Sequence, residues 1–200
     1  AGVEMDFYGG WKTEFSNGIG LDLGGLYYYY PGGYYQTSAA TGKKKYDNFE
    51  LYIGLSYKWL SAKYSHATTD YFGLNAQALG NALYGAVNSS NVATGATAGT
   101  LTSNSKGSSY FELNANVEIA PKWMFIGHVG HVSVKNYTPL NYTDYKIGVT
   151  YDAGFATLGA ALVGTNAKSD FYRIFENNGA ATTGKQVSGG TLVLSLSKTF

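Results

Sequence analysis

Residues 190–200 read Gly190-Thr-Leu-Val-Leu-Ser-Leu-Ser-Lys-Thr-Phe200. Leu192, Leu194, Leu196 and Phe200 fall on one face of a strand. Ser195, Ser197 and Thr199 fall on the other, with Val193 the exception. Strand side chains alternate with a period of two, so this spacing specifies an extended segment and not a helix. The apolar rim runs to an aromatic residue at the C-terminus, where a soluble sheet is expected to fray.

Working outward, the same alternation recurs. In 48–59, Phe49, Leu51, Ile53, Leu55, Tyr57 and Trp59 alternate with Glu50, Tyr52, Gly54, Ser56 and Lys58. In 108–119, Phe111, Leu113, Ala115, Val117 and Ile119 oppose Tyr110, Glu112, Asn114, Asn116 and Glu118. Segments 3–15, 19–30 and 142–152 follow the rule as well; 62–71 is weaker, and 155–166 completes the set with the closing strand. The facing of 123–135 is not settled by its pattern. About nine strands result, an all-β chain.

Connections alternate between short (16–18, 60–61, 120–122, 153–154) and long (31–46, 73–107, 136–141, 167–186). The segment 73–107 is rich in Ala, Gly, Ser, Asn and Thr, and its part Leu74–Val87 has room for a helical turn or two. Aromatic residues gather beside the short turns: Phe15, Trp59, Trp123, Tyr151, Phe155 and Phe200.

Composition agrees. Tyr (19), Gly (27) and Phe (10) are abundant and Pro (3) is scarce, a strand-and-turn profile. Fourteen basic residues balance 13 acidic ones, so nothing argues for nucleic acid, and the absence of cysteine excludes disulfides and thiolate metal sites. No apolar run approaches the roughly 18 residues of a membrane helix. The mean hydropathy of −0.15 is compatible with a β-barrel, in which only alternate residues touch lipid. The opening Ala1-Gly-Val-Glu-Met-Asp6 has neither the basic segment nor the apolar core of a secretory signal.

The ending resembles the closing strand of a bacterial outer-membrane β-barrel, departing at Lys198, where such barrels often carry Tyr. Short turns on the periplasmic side, longer loops outside and an aromatic girdle are properties of those barrels. The expected fold is therefore a transmembrane antiparallel up-and-down β-barrel forming a single domain over 1–200 with a long loop at 73–107. Single-chain bacterial barrels have an even strand number, and an open edge is not tolerated in lipid. About nine strands thus imply that an odd number precede the chain. Further stretches narrow the resemblance: Glu4-Met-Asp-Phe-Tyr-Gly-Gly-Trp-Lys12, Gly25-Leu-Tyr-Tyr-Tyr-Tyr-Pro-Gly32, Leu51 to Tyr64, Asp70-Tyr-Phe-Gly73, Tyr142-Thr-Asp-Tyr-Lys-Ile-Gly148 and Ser195-Leu-Ser-Lys-Thr-Phe200. These resemble proteobacterial porins of the TorF (Gcw_chp) family. The resemblance implies further strands ahead of Asp6-Phe-Tyr-Gly-Gly10, twelve in all, and localisation to the bacterial outer membrane. Segment 73–107 is longer than in typical members.

If the apolar rows meet lipid, the polar rows line the interior. Expected pore-lining residues are Glu4, Asp6, Lys12, Asp22, Glu50, Lys58, Lys63, Glu112, Asp144 and Lys146, an acidic excess that favours cations. The expected function is passive diffusion of ions or small polar solutes. The alternative is a structural barrel anchor whose long outer loop binds a partner. Cross-strand ion pairs that merely fill the interior are the plainer reading of the same charges. Expected partners are outer-membrane lipid and lipopolysaccharide, and the barrel-assembly machinery through the strand ending in Phe200. Lys43-Lys44-Lys45 in an outer loop offers the lipopolysaccharide phosphates a basic patch, with a solvated loop the plainer reading of the same run. No cofactor or metal is expected. His128 and His131, three apart, point to opposite strand faces, and no HExxH or GxSxG is present, so the chain is not expected to be an enzyme. A soluble β-domain would instead bury Leu51, Ile53, Leu55, Leu192 and Leu194 in a core.

Overall fold

The alternating segments of the sequence pair with one another in chain order. The computed structural model describes residues 2–36, 43–75, 104–168, 172–174, 185–186 and 188–199. Its strands are β1 (Met5–Glu14), β2 (Ile19–Tyr29), β3 (Tyr34–Gln36), β4 (Lys43–Lys45), β5 (Asn48–Tyr57), β6 (Leu60–Ala67), β7 (Ser109–Ala120), β8 (Trp123–Ser133), β9 (Tyr142–Asp152), β10 (Thr157–Thr165), β11 (Arg173–Ile174), β12 (Lys185–Gln186) and β13 (Gly189–Ser197). Nine of them form one sheet in the order β1-β2-β5-β6-β7-β8-β9-β10-β13, antiparallel at every junction. The pairs β3–β4 and β11–β12 are small ribbons within two of the long connections. No α-helix forms among the described residues, and the sheet does not close on itself. Both edges, β1 and β13, run from the long-loop end to the short-turn end.

Register keeps the faces apart. On one face Leu21, Leu55, Ala62, Leu113, Val129 and Tyr145 are successive cross-strand partners. On the other the row runs from edge to edge: Lys12, Asp22, Gly54, Lys63, Glu112, Gly130, Asp144, Thr165 and Gly189. A slip of one residue in any pair would exchange the two sets. Within the nine strands, each buried residue with a described side chain lies on this polar face, for example Glu50, Gly54, Ser65, Gly130 and Val132. The apolar face is bare. Leu51 is 52% exposed, Leu55 51% and Leu194 74%, so these leucines do not form the core of a water-soluble globule.

The buried core lies instead at the long-loop end of the polar face. Leu74, Val132, Val134, Tyr137 and Leu140 pack there, with Tyr71, Tyr110, Tyr142 and Tyr172 against them. Strand 123–135, ambiguous by pattern, spans Trp123–Ser133. Trp123, Phe125 and Val129 take the apolar face, and Ile126, His128 and Val132 the polar one. Its mixed pattern has a physical cause, since Val132 points toward the polar face to join this core.

Two sequence expectations need correcting. The turn expected at Leu60-Ser61 lies at Lys58–Trp59, because Lys58 adopts φ +53 and Tyr57 pairs with Leu60. The apolar alternation runs through Trp59 without a Gly, Asn or Pro to mark the reversal. Lys43–Lys45, expected as open loop, is strand β4 against β3. The helical turn expected in Leu74–Val87 lies mostly outside the described residues, as does most of loop 73–107.

Gly148 tests the close pairing of β9 and β10. A Cβ there would meet the Ala160 carbonyl oxygen at 2.5 Å and Ala161 Cβ at 2.6 Å, whereas one at Gly9 meets nothing within 4 Å. Gly148→Val is expected to lower stability by about 1–3 kcal/mol in urea unfolding of the folded protein, the usual penalty of overpacking, with Gly9→Val close to unchanged.

Candidate functional site

The charged row on the polar face assembles into a network because cross-strand neighbours on one face stand only a few ångströms apart. Lys63 of β6 bridges Glu112 of β7 at 3.2 Å, and its amine also lies 5.5 Å from the centre of the Tyr52 ring. His128 of β8 donates from Nε2 to Asp144 Oδ1 at 2.8 Å, while its Nδ1 lies 2.7 Å from Asn114 Oδ1 and 3.8 Å from Glu112 Oε2. Tyr110 donates to Asp144 Oδ1 at 3.2 Å and sits 3.1 Å from His128 Nε2. Gly130 makes this possible: a Cβ there would lie 2.0 Å from the Tyr110 hydroxyl, so only glycine lets that ring cross the strand.

A second cluster lies toward the long loops. Asn48 donates to buried Glu50 at 2.7 Å. The Tyr30 hydroxyl donates to Glu4, a short contact. Beyond β6 the chain enters a 3-10 turn, Tyr71–Gly73, whose Phe72 has φ +47 and presents its ring to Tyr28 (5.2 Å), Tyr30 (6.2 Å) and Tyr71 (4.8 Å). Ser105 holds this turn down. Its Oγ accepts from the Tyr71 N–H at 2.8 Å and donates to the Leu74 carbonyl, and its own N–H donates to Asp70 Oδ1 at 3.1 Å. Lys44 closes the other side on Asp70 at 2.7 Å. Burial, then Tyr142 and Glu50, push the Tyr71 hydroxyl above its usual range. Burial and the Glu4 hydrogen bond do the same for Tyr30, so both hydroxyls stay neutral at ordinary pH. Both clusters contribute to the lining of one cavity of about 840 Å³, Phe72, Tyr71 and Glu50 from the second and His128 and Asp144 from the first, with Lys146.

The residues singled out from the sequence fall as follows. Asp6, Lys12, Asp22, Glu50, Lys63, Glu112, Asp144 and Lys146 are on polar-face positions, and Glu4 precedes β1 beside Tyr30. Glu112, Lys63 and Asp144 are joined through His128. Lys58 departs from the row: it sits in the turn after β5 with its amine 5.1 Å from the centre of the Tyr57 ring, because its left-handed backbone ends the alternation. Phe15, Trp59, Trp123, Tyr151 and Phe155 all gather at the short-turn end, where Trp123 and Tyr151 pack at 4.8 Å. Phe200 lies outside the described residues.

Sequence reasoning weighed His128 only as a metal or catalytic residue and set it aside, placed Tyr110 and Asn114 on the polar face without giving them a role, and did not single out Tyr71, Phe72 or Ser105. Tyr110 and Asn114 share the strand face of Glu112, which was a usable signal. Phe72 and Ser105 are loop residues, and periodicity says nothing about where loops fold. His131 bonds Thr143 on the opposite face at 3.0 Å, so the two histidines do diverge. No Ser or Thr hydroxyl bonds His128, and no three His, Cys, Asp or Glu converge on a metal position among the described residues.

Fold and site together define an all-β antiparallel sheet protein whose charged and tyrosine side chains gather on one face. The chain belongs to the Gcw_chp family, described as bacterial protein of unknown function, whose family model matches residues 1–200. No match is found among curated proteins, and none among solved structures.

Ser105 is expected to be the anchor of the 70–75 segment. Ser105→Ala leaves the Tyr71 N–H without its acceptor, and unfolding in denaturant should show a loss of about 1–3 kcal/mol, the cost of an orphaned buried polar group.

Proposed function

We propose that this protein is an outer-membrane β-barrel porin of the TorF type, passing ions or small polar solutes along its polar face. The observation that carries this reading is the segregation of the sheet, a largely apolar face without cover, interrupted only by such residues as Thr13, His66, His131 and Thr143, against a charged and sheltered one. Moving a Leu side chain from water into hydrocarbon is favourable by about 1.5–3 kcal/mol, and Leu51, Leu55, Leu162, Leu192, Leu194 and Leu196 are all exposed. A lipid environment gives these rows a partner. Among the described residues no helix is long and apolar enough to cross a membrane; a β-barrel crosses with strands. The sheet's strands, from 8 residues in β6 to 12 in β7, bracket the approximate length of 9–11 residues for a crossing strand. The aromatic residues at the short-turn end suit the periplasmic headgroup level, and the long connections suit the cell surface.

Closure follows from strand direction. Because β1 and β13 point the same way, joining them directly would make a parallel seam; an odd number of further strands gives an even, wholly antiparallel barrel. Lipopolysaccharide at the long-loop end and the barrel-assembly machinery at the closing strand are the partners this reading implies. No catalytic step is assigned.

Within the passage the carboxylates of Glu4, Asp6, Asp22, Glu50, Glu112 and Asp144 outnumber the amines of Lys12, Lys63 and Lys146, which favours cations. Planar-bilayer recording of the full-length folded protein should show discrete conductance with cation preference in a KCl gradient; a bilayer that stays sealed overturns the porin reading. Glu50→Gln combined with Glu112→Gln should move the reversal potential toward zero, and an unchanged value rejects these two as selectivity residues.

A further inference from the structure

We infer that the Tyr71–Phe72 turn, together with Tyr28, Tyr30, Asp6 and Glu50, forms a recognition site for small organic cations that carry an ammonium group beside a flat apolar surface. This deepens the passage proposed above and rests on that reading only for the route by which a solute arrives.

The aromatic part of the site is built around Phe72, with rings of Tyr71, Tyr28 and Tyr30 within 4.8–6.2 Å of it. Phe72, Tyr71 and Tyr28 line the cavity of about 840 Å³ together with Glu50, and Tyr30 joins them through its ring contact with Phe72. The turn is fixed in place by Ser105 on one side and by the Lys44–Asp70 pair on the other. It is therefore a preformed wall, and its position does not wait for a ligand.

Charge decides what such a wall selects. Asp6 is the cross-strand partner of Tyr28, Glu4 accepts a hydrogen bond from Tyr30, and Glu50 lines the cavity with Tyr28. Of the nearby amines, Lys44 has Asp70, Lys45 has Asp47 at 3.8 Å and Lys63 has Glu112, while Lys146 lines the same cavity with no ion pair among the described residues. Among the described residues Asp6, Glu4 and Glu50 have no amine within ion-pair distance, Glu4 taking its hydrogen bond from Tyr30 and Glu50 from Asn48. Aromatic faces with carboxylates alongside attract a cation twice, through the ring quadrupole and through direct Coulomb attraction. A neutral ring would receive only the stacking, and an anionic ring would be repelled.

The test uses the full chain folded in detergent, titrated calorimetrically with benzyltrimethylammonium, benzyl alcohol and benzoate. The expected result is saturable binding of benzyltrimethylammonium, at least tenfold weaker binding of benzyl alcohol, and none of benzoate. Phe72→Leu keeps apolar bulk but removes the ring, and should weaken the cation at least fivefold. Asp6→Asn, on exposed β1, should weaken it two- to fivefold and flatten its salt dependence without disturbing the fold. Equal binding of all three probes, no binding of the cation, or indifference to both substitutions overturns the site. Because titration needs no bilayer, conductance without cation binding rejects the site alone, and cation binding without conductance rejects only the porin reading.

Discussion

A pleated strand sends successive side chains to opposite faces, and in this protein one of those faces has no protein to lean on. Leucine, isoleucine, phenylalanine and tryptophan from nine strands stand in register with nothing packed over them. Every other feature answers to that constraint. Register cannot slip, because a single step would carry Asp22, Lys63, Glu112 and Asp144 to the apolar side and leave charges without the partners they now have. The core cannot lie behind the apolar rows, so it forms at the long-loop end of the other face, from Val132, Val134, Tyr137 and Leu140.

The polar face solves a different problem, that of holding many ionisable groups close together. Buried or half-buried polar groups are costly unless bonded, and here they are bonded to one another across strands. Lys63, Glu112, His128, Asp144 and Tyr110 form one connected set over four strands, with Asn114 completing the histidine's contacts. Glycines at Gly54 and Gly130 take the row positions between these charges. Gly130 gives up a side chain so that Tyr110 can reach across to Asp144. The turn at Tyr71–Gly73 adds a rigid aromatic wall at the long-loop end, tied to Ser105 and Lys44 and unlike a free loop in having both of its sides fixed.

Much of this was legible beforehand, and the reasons differ by residue. Leu51, Ile53 and Leu55 announce their strand because the period of two is strict there, and Glu50 and Tyr52 follow automatically onto the other face. Trp123 to Ser133 does not announce its facing, because Ile126 and Val132 stand on the polar face, where Val132 joins a core that includes Leu74 from far earlier in the chain. Lys58 was misplaced because a positive φ at lysine leaves no mark in composition. Lys44 looked like part of a solvated basic run until Asp70, 26 positions later, proved to be its partner at 2.7 Å.

By itself the sequence determined the strands, their two faces, the alternation of short and long connections and the crowding of aromatic residues beside the short ones. These are local properties, written in the spacing of neighbouring residues, and the sheet had to obey them. Tertiary structure alone decided that His128 joins Asp144 to Asn114, that Ser105 pins Tyr71, and that Phe72 stands against Tyr28 and Tyr30. Each of those contacts brings together side chains from different strands or loops. Their meeting is set by pairing register and by where a connection folds back, and no short window of sequence contains either.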